Sequence, residues 1–230
     1  MYEARLRSNL PAVEARIERA RSRSGGAPVT IVAVTKGHPV AAVRAAAGAG
    51  LQICGENRVQ ELEQKRAELG DRGIRWHLIG HLQRNKVRRA LPLFDLIHSV
   101  DSMRLAQELS AEAVRSDRVV DALVQVNASG ETSKGGFDAG AGTEPIAAVC
   151  ALPNVRVQGL MTMAPFTADE VVVRATFART RALFDDCARE LPNFRARHLS
   201  MGMSNDFEIA VDEGATMVRL GTVLFGERER

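Results

Sequence analysis

Lys36 is the residue of this 230-residue chain whose surroundings best suit covalent chemistry. It ends an uninterrupted apolar run, VTIVAVT (29–35), and is followed at once by Gly37. Burial disfavours an ammonium, so a lysine with a desolvated stem can present a free amine to an aldehyde and form a Schiff base. The same position also suits a lysine that only carries its charge out to solvent. The far end of the chain supplies what a phosphate needs. In MVRLGTVLFGER (217–228), Gly221 and Thr222 stand at a turn opening a short helix, where bare N–H groups and a hydroxyl can meet a dianion. Ser200 and Gly202 can join that pocket, or the glycines can serve tight turns alone. Arg219 lies within the preceding strand. Its charge must face the interior near the top of the fold, or snorkel between helices, or pair with an acid such as Glu227 or Asp212.

The elements that must position these residues alternate along the chain. Leu6, Leu10, Val13, Ile17 and Ala20 recur at helical spacing, which predicts an amphipathic N-terminal helix closed by Ser24-Gly25-Gly26. Short β-branched runs then alternate with helical patterns. Strands are expected at 29–35, 51–55, 74–80, 95–100, 121–128, 155–162, 196–201 and in TMVRLGTVLFG, with a long helix from Glu170 to about Glu190. Eight strands, each followed by a helix except at the end, favour one closed (β/α)8 TIM-type barrel over 1–230, with the extra helix in front. Function in such a barrel lies just past the carboxyl ends of its strands. Those ends read Thr35-Lys36-Gly37, Gly55-Glu56-Asn57, Gly80-His81, Ser99-Val100-Asp101, Asn127-Ala128-Ser129, Met161-Thr162-Met163, Ser200-Met201-Gly202 and Leu220-Gly221-Thr222.

Composition narrows the classes. The cysteines Cys54, Cys150 and Cys187 are odd in number and widely spaced, which fits neither a disulfide framework nor a CxxC site and suits a reducing cytoplasm. The N-terminus interleaves charges with isolated apolar residues, so neither a signal peptide nor a membrane span is expected. A net charge of +3 and pI near 9.0 come from dispersed arginines, aromatics are 4%, and no nucleic-acid motif occurs. His77 and His81 are too far apart on an extended strand to share a metal ion. GETSKGG (130–136) lacks the Lys then Ser or Thr that a phosphate loop needs after its second glycine. There is no GxSxG.

Several segments together closely resemble the pyridoxal phosphate homeostasis protein family over nearly the whole chain. They are AVTKGHP (33–39), GENRVQE (55–61), WHLIGHLQRNK (76–86), HSVDS (98–102), GLMTMAP (159–165) and LSMGMSNDFEIAVDEGATMVRLGTVLFG (199–226). The resemblance implies an alanine-racemase-like N-terminal barrel standing alone, with pyridoxal 5'-phosphate held as an aldimine on Lys36. Arg219 would then face the pyridine nitrogen, donate a hydrogen bond to it and keep it unprotonated. Ser200, Gly221 and Thr222 match phosphate-binding positions, and Asn57 matches a residue beside the ring. Met201, Gly202 and Ser204 belong to the same motif, while His81 is assigned no role. The stretch DAGAGTEPI (138–146) departs from the family pattern, which normally runs there into an acidic helix, and is expected to loosen the fifth loop.

Three activities are compatible with these residues. The resemblance favours an intracellular carrier that holds the cofactor without strong catalysis and can hand it to apo-enzymes; a monomer is expected. A racemase would need a second base, and the single tyrosine of the chain is Tyr2, at its N-terminus. A cofactor-free Schiff-base aldolase would use Lys36 with Glu56 or Asp101, but leaves Arg219 and the SMGMS motif without a purpose.

Overall fold

A computed structural model describes residues 1–70, 72–131 and 135–228. Thr132, Ser133 and Lys134 of the rejected phosphate-loop stretch lie outside the described residues. The first element is helix α1 (Tyr2–Ser24), which buries Leu6, Leu10, Val13, Ile17 and Ala20 and ends at Gly25 in a left-handed conformation. Its polar face is tied down by Arg16, whose guanidinium bonds Glu208 and lies 4.5 Å above the Phe207 ring.

Parallel strands then follow: β1 (Thr30–Val34), β2 (Ile53–Glu56), β3 (Arg75–Leu78), β4 (Leu96–Val100), β5 (Val120–Asn127), the two-residue β6 (Phe137–Asp138), β7 (Val155–Met161), β8 (His198–Ser200) and β9 (Met217–Leu220). The helices between and after them are α2 (Val40–Gly48), α3 (Val59–Leu69), α4 (Val87–Ala90), α5 (Met103–Arg115), α6 (Glu144–Cys150), α7 (Glu170–Glu190), α8 (Phe207–Asp212) and α9 (Thr222–Phe225). Each barrel strand pairs with its sequence neighbour, and the β4–β5 and β1–β9 pairings close the ring. The eight barrel strands are therefore β1–β5 and β7–β9, as the sequence pattern predicts.

Alternation along the strands sorts side chains between two environments. Val32, Ile53, Leu96, Leu123, Met161 and Met217 point inward and form one buried cluster with Ile79 and Met163. Ala33, Cys54, Leu78, Ile97, Val124, Leu160, Leu199 and Val218 point outward and pack under the helices.

The structure departs from the sequence expectation in two places. The segment after the third strand forms a 3-10 turn (Arg84–Lys86) and only a four-residue helix, α4. The fifth loop is not loose: β6 pairs with β5 through Val126 and Phe137, and the Asp138 side chain accepts from Gly140 N–H at 2.9 Å before α6 begins. The Asp138 carboxylate thereby caps a single 3-10 turn (Ala139–Ala141), which the composition alone does not reveal.

Between Ala122 and Leu123 the β5–β7 register slips by one residue, and Gly159 sits at that irregularity with φ +146°. A Cβ there would lie 1.9 Å from the His198 carbonyl oxygen, a backbone atom of the next strand. Gly159→Ala is therefore expected to destabilise the barrel by more than about 2 kcal/mol in chemical denaturation, because neither strand can move without breaking the ring.

Candidate functional site

The mouth is assembled from the carboxyl ends of the strands. The strand alternation that turns Val32 inward and Ala33 outward carries Lys36 inward over the barrel, half-buried, while Thr35 faces the helices. Burial pushes the Lys36 ammonium below the usual lysine range, and the cations Arg228 and Arg219 push it further; Glu56 and Glu61 pull the other way. No hydrogen bond or ion pair holds this amine among the described residues. A desolvated, unclaimed amine is a nucleophile for aldehydes near neutral pH.

Arg219, on β9, faces the barrel interior and is 4% exposed. One of its terminal nitrogens donates to the Ser200 carbonyl at 2.9 Å and to Ser200 Oγ at 2.7 Å; the other donates to the Thr162 carbonyl at 2.8 Å. Neither Asp212 nor Glu227 is its partner, since Asp212 pairs with Arg23 and Arg174 on the outside. Burial depresses the guanidinium to about 10, against the opposing pull of the Asp206 carboxylate. An arginine remains charged at that value and has more N–H donors than these bonds use.

Beneath Arg219 runs a buried polar chain. His98 Nδ1 lies 3.1 Å from Ser200 Oγ, and His98 Nε2 lies 3.0 Å from His77 Nδ1. Arginine can only donate, so Ser200 Oγ accepts from it and is free to give its own proton to His98 Nδ1. His98 then donates from Nε2 to His77, and every link is satisfied with both rings neutral. Burial holds them so: His77 is pushed down to about 3 and His98 well below the ordinary histidine value.

The loops after β8 and β9 meet beside this column. Gly202 has φ +94°, and a Cβ on it would lie 2.6 Å from Ala210 Cβ and 2.9 Å from Phe207 Cα, so only glycine lets α8 approach. Ser204 Oγ accepts from Val223 N–H at 3.3 Å, which joins the loop to the first turn of α9. Gly221 lies against Val34 of the Lys36 strand, and Thr222 is exposed beside it. Asn57 packs on Gly80 at the next strand ends.

Lys36, Arg219, Gly221, Thr222, Ser204, Gly202 and Ser200 thus converge on one sector of the mouth. The Ser200 hydroxyl is engaged with Arg219 and His98 inside the barrel, below the loop N–H groups with which the sequence reading grouped it. Met201 does not face the mouth: its side chain is fully buried in the outer core and its N–H bonds Met217. His77 and His81 are separated as expected, the first bonded to His98 inside the barrel and the second 2.7 Å from Asp101 at the rim. No cluster of metal-ligating side chains occurs among the described residues. Sequence reasoning missed His98, Thr162 and Arg228. The signal for His98 was available, because a histidine at an inward position of an apolar strand needs a partner; Arg228 reaches Gly37 across the fold and left no local signal.

Residues 8–229 match the family described as alanine racemase, N-terminal domain. The chain is 42% identical over 222 residues to the pyridoxal phosphate homeostasis protein of Aquifex aeolicus, covering 96% of this chain and 97% of that one. It is similar to the structure of PipY from Synechococcus elongatus with pyridoxal phosphate bound: TM-score 0.80, 41% identity, 92% of this chain and 100% of that chain. An alanine racemase from Clostridium difficile shares the fold, with TM-score 0.73 at 17% identity, over 96% of this chain and 56% of its own length.

The buried histidine pair has a consequence for stability. The unfolded chain takes up these protons as pH falls below about 6.5, whereas the folded barrel refuses them, so the pair lowers stability progressively on acidification. In the folded protein the His77 and His98 ring resonances are expected to stay those of neutral imidazole between about pH 7.5 and about pH 5. A transition of either ring near its ordinary value would contradict the chain drawn above.

Proposed function

We propose, from the premise that this chain belongs to the pyridoxal phosphate homeostasis protein family, that it holds pyridoxal 5'-phosphate on Lys36 as a single-barrel intracellular carrier. The observation that carries this reading is Arg219: a buried guanidinium with no ion pair among the described residues and donors to spare, beside an unclaimed lysine amine. A planar anionic aldehyde with an acceptor nitrogen fits both needs at once.

When bound, the cofactor brings a reactive aldehyde on an electron-withdrawing ring. Lys36 would hold the aldehyde carbon, and the burial that lowers its basicity favours the free amine this needs. Arg219 would donate to the ring nitrogen, and a donor-only partner would favour that nitrogen without its own proton. Gly221 and Thr222 receive the phosphate at the start of α9, with Ser204 and Gly202 shaping the adjoining loop. Ser200 holds Arg219 in line, Asn57 flanks the ring, and Met201 supports the wall from behind.

A carrier must hold a reactive aldehyde and release it intact, here to apo-enzymes that use it, and the name borne by the Aquifex relative fits that role. Racemisation would need a second base. Tyr2, at the start of α1, has its hydroxyl engaged 3.2 Å from His38 Nδ1 and its ring edge-on to Phe225. No helix among the described residues is long and apolar enough to cross a membrane, and the cysteines are buried and free, in keeping with a reducing compartment.

Two measurements test this. Wild-type protein incubated with pyridoxal phosphate, freed of excess and reduced with borohydride should carry the pyridoxyl mass on the Lys36 peptide, and Lys36→Ala should carry none. Absence of the label from wild type would overturn the reading. Arg219→Gln should weaken binding by about 10- to 100-fold in an absorbance titration, the value of a hydrogen bond to a charged group.

A further inference from the structure

The GENRVQE motif lends Asn57 to the mouth, yet its two carboxylates, Glu56 and Glu61, do not reach it. Both lie behind the Lys36 turn, on the helix side of the barrel wall. Glu56, the last residue of β2, is fully buried; its Oε1 accepts from Thr35 Oγ1 at 2.5 Å and from Lys65 Nζ at 2.6 Å. Lys65, on α3 and 5% exposed, also donates to Glu61 Oε1 at 2.8 Å and to the Thr35 carbonyl at 2.7 Å. Glu61 Oε1 in turn accepts from Gly37 N–H at 2.6 Å. The residues on both sides of Lys36 are therefore gripped by one triad. The Thr35 carbonyl also accepts from His38 N–H at 3.0 Å, which closes the turn.

The triad solves a charge problem. Two carboxylates beside a lysine that must stay unclaimed would ordinarily capture it, and both do attract the Lys36 ammonium. The second oxygen of Glu56 is buried without a hydrogen-bond partner, so a competing cation is close to a site that would welcome it. Lys65 fills that need from the other side of the wall.

We propose that Lys65 is a positioning residue for Lys36: it occupies Glu56 and Glu61, and with them fixes the backbone on either side of Lys36, so that the Lys36 amine stays free and aimed at the mouth. The inference rests on the cofactor reading above, but its test does not depend on it. The groups that face Lys36 are Arg228 from the C-terminal segment, Arg219 from β9, Glu56 from β2 and Glu61 from α3. His38, next along the chain, is itself subject to Lys65, Arg228, Arg5 and Glu61.

The experiment measures the pH dependence of Lys36 acylation in the cofactor-free full chain, by a pulse of acetic anhydride and peptide mass analysis, alongside pyridoxal phosphate affinity. In Lys65→Met the unopposed carboxylates draw on Lys36, so the midpoint of its reactivity should move to higher pH. In Glu61→Gln one attraction is lost, so it should move to lower pH. Cofactor affinity in Lys65→Met should fall by about tenfold or more, as when a supporting shell is removed. A purely structural lysine would lower the melting temperature and leave the midpoints unmoved or shift both variants the same way; either result overturns the proposal. If Lys65→Met does not fold, Glu56→Gln/Lys65→Met removes the stranded charge, and its midpoint should lie above that of Glu56→Gln alone; partly exposed Glu61→Gln gives the opposite sign by itself. Failure of wild type to bind pyridoxal phosphate would sink the cofactor reading while the acylation midpoints still judge Lys65.

Discussion

A guanidinium inside a closed parallel barrel, with no carboxylate in contact among the described residues, is the constraint to which the rest of this site answers. Desolvating such a charge costs several kcal/mol unless its donors are met. The protein meets them with neutral acceptors: the carbonyls of Ser200 and Thr162 and the Ser200 hydroxyl. That choice propagates downward. Ser200 needs an acceptor for its proton, His98 supplies one, and His77 completes the column, which is why the barrel interior carries two imidazoles between apolar layers. It also propagates upward, because a cation whose hydrogen bonds go to neutral acceptors retains its attraction for an anionic or acceptor-bearing ligand at the mouth.

The wall between β1 and β2 separates two opposite arrangements. On the inner side Lys36 and Arg219, with Arg228 nearby, gather positive charge, and among the described residues no carboxylate bonds Lys36 or Arg219. On the outer side Glu56 and Glu61 gather negative charge around Lys65. Burial raises Glu56 to about 7 even so, a measure of how much the apolar surroundings resist the charge that Lys65 stabilises. Strand alternation makes the division possible: neighbouring residues Thr35 and Lys36, one carbonyl apart, report to different sides of the sheet.

Much of this was legible in the sequence. The inward-facing spacing of α1, the eight strands and Lys36 just past β1 follow from periodicity, while for Arg219 the cost of burying charge left the interior as one of three placements. Strand parity also bears on Met201: if Ser200 points in, its neighbour points out, and the structure places it in the outer core. What was not legible depends on pairings distant in sequence. His77 and His98 stand in separate strands and Arg228 reaches Gly37 from the far end of the chain. The β6 segment and the Asp138 turn lie where the departure of 138–146 from the family pattern suggested only looseness.

Arg219, positioned from below, is proposed to meet the ring nitrogen of a pyridoxal phosphate anchored above it. The most direct test is the 15N resonance of the ring nitrogen in cofactor labelled at that atom and bound to the wild-type protein. The account predicts the shift of an unprotonated, hydrogen-bonded pyridine that changes when Arg219 is replaced by Gln. A pyridinium shift, or one indifferent to Arg219, would contradict it.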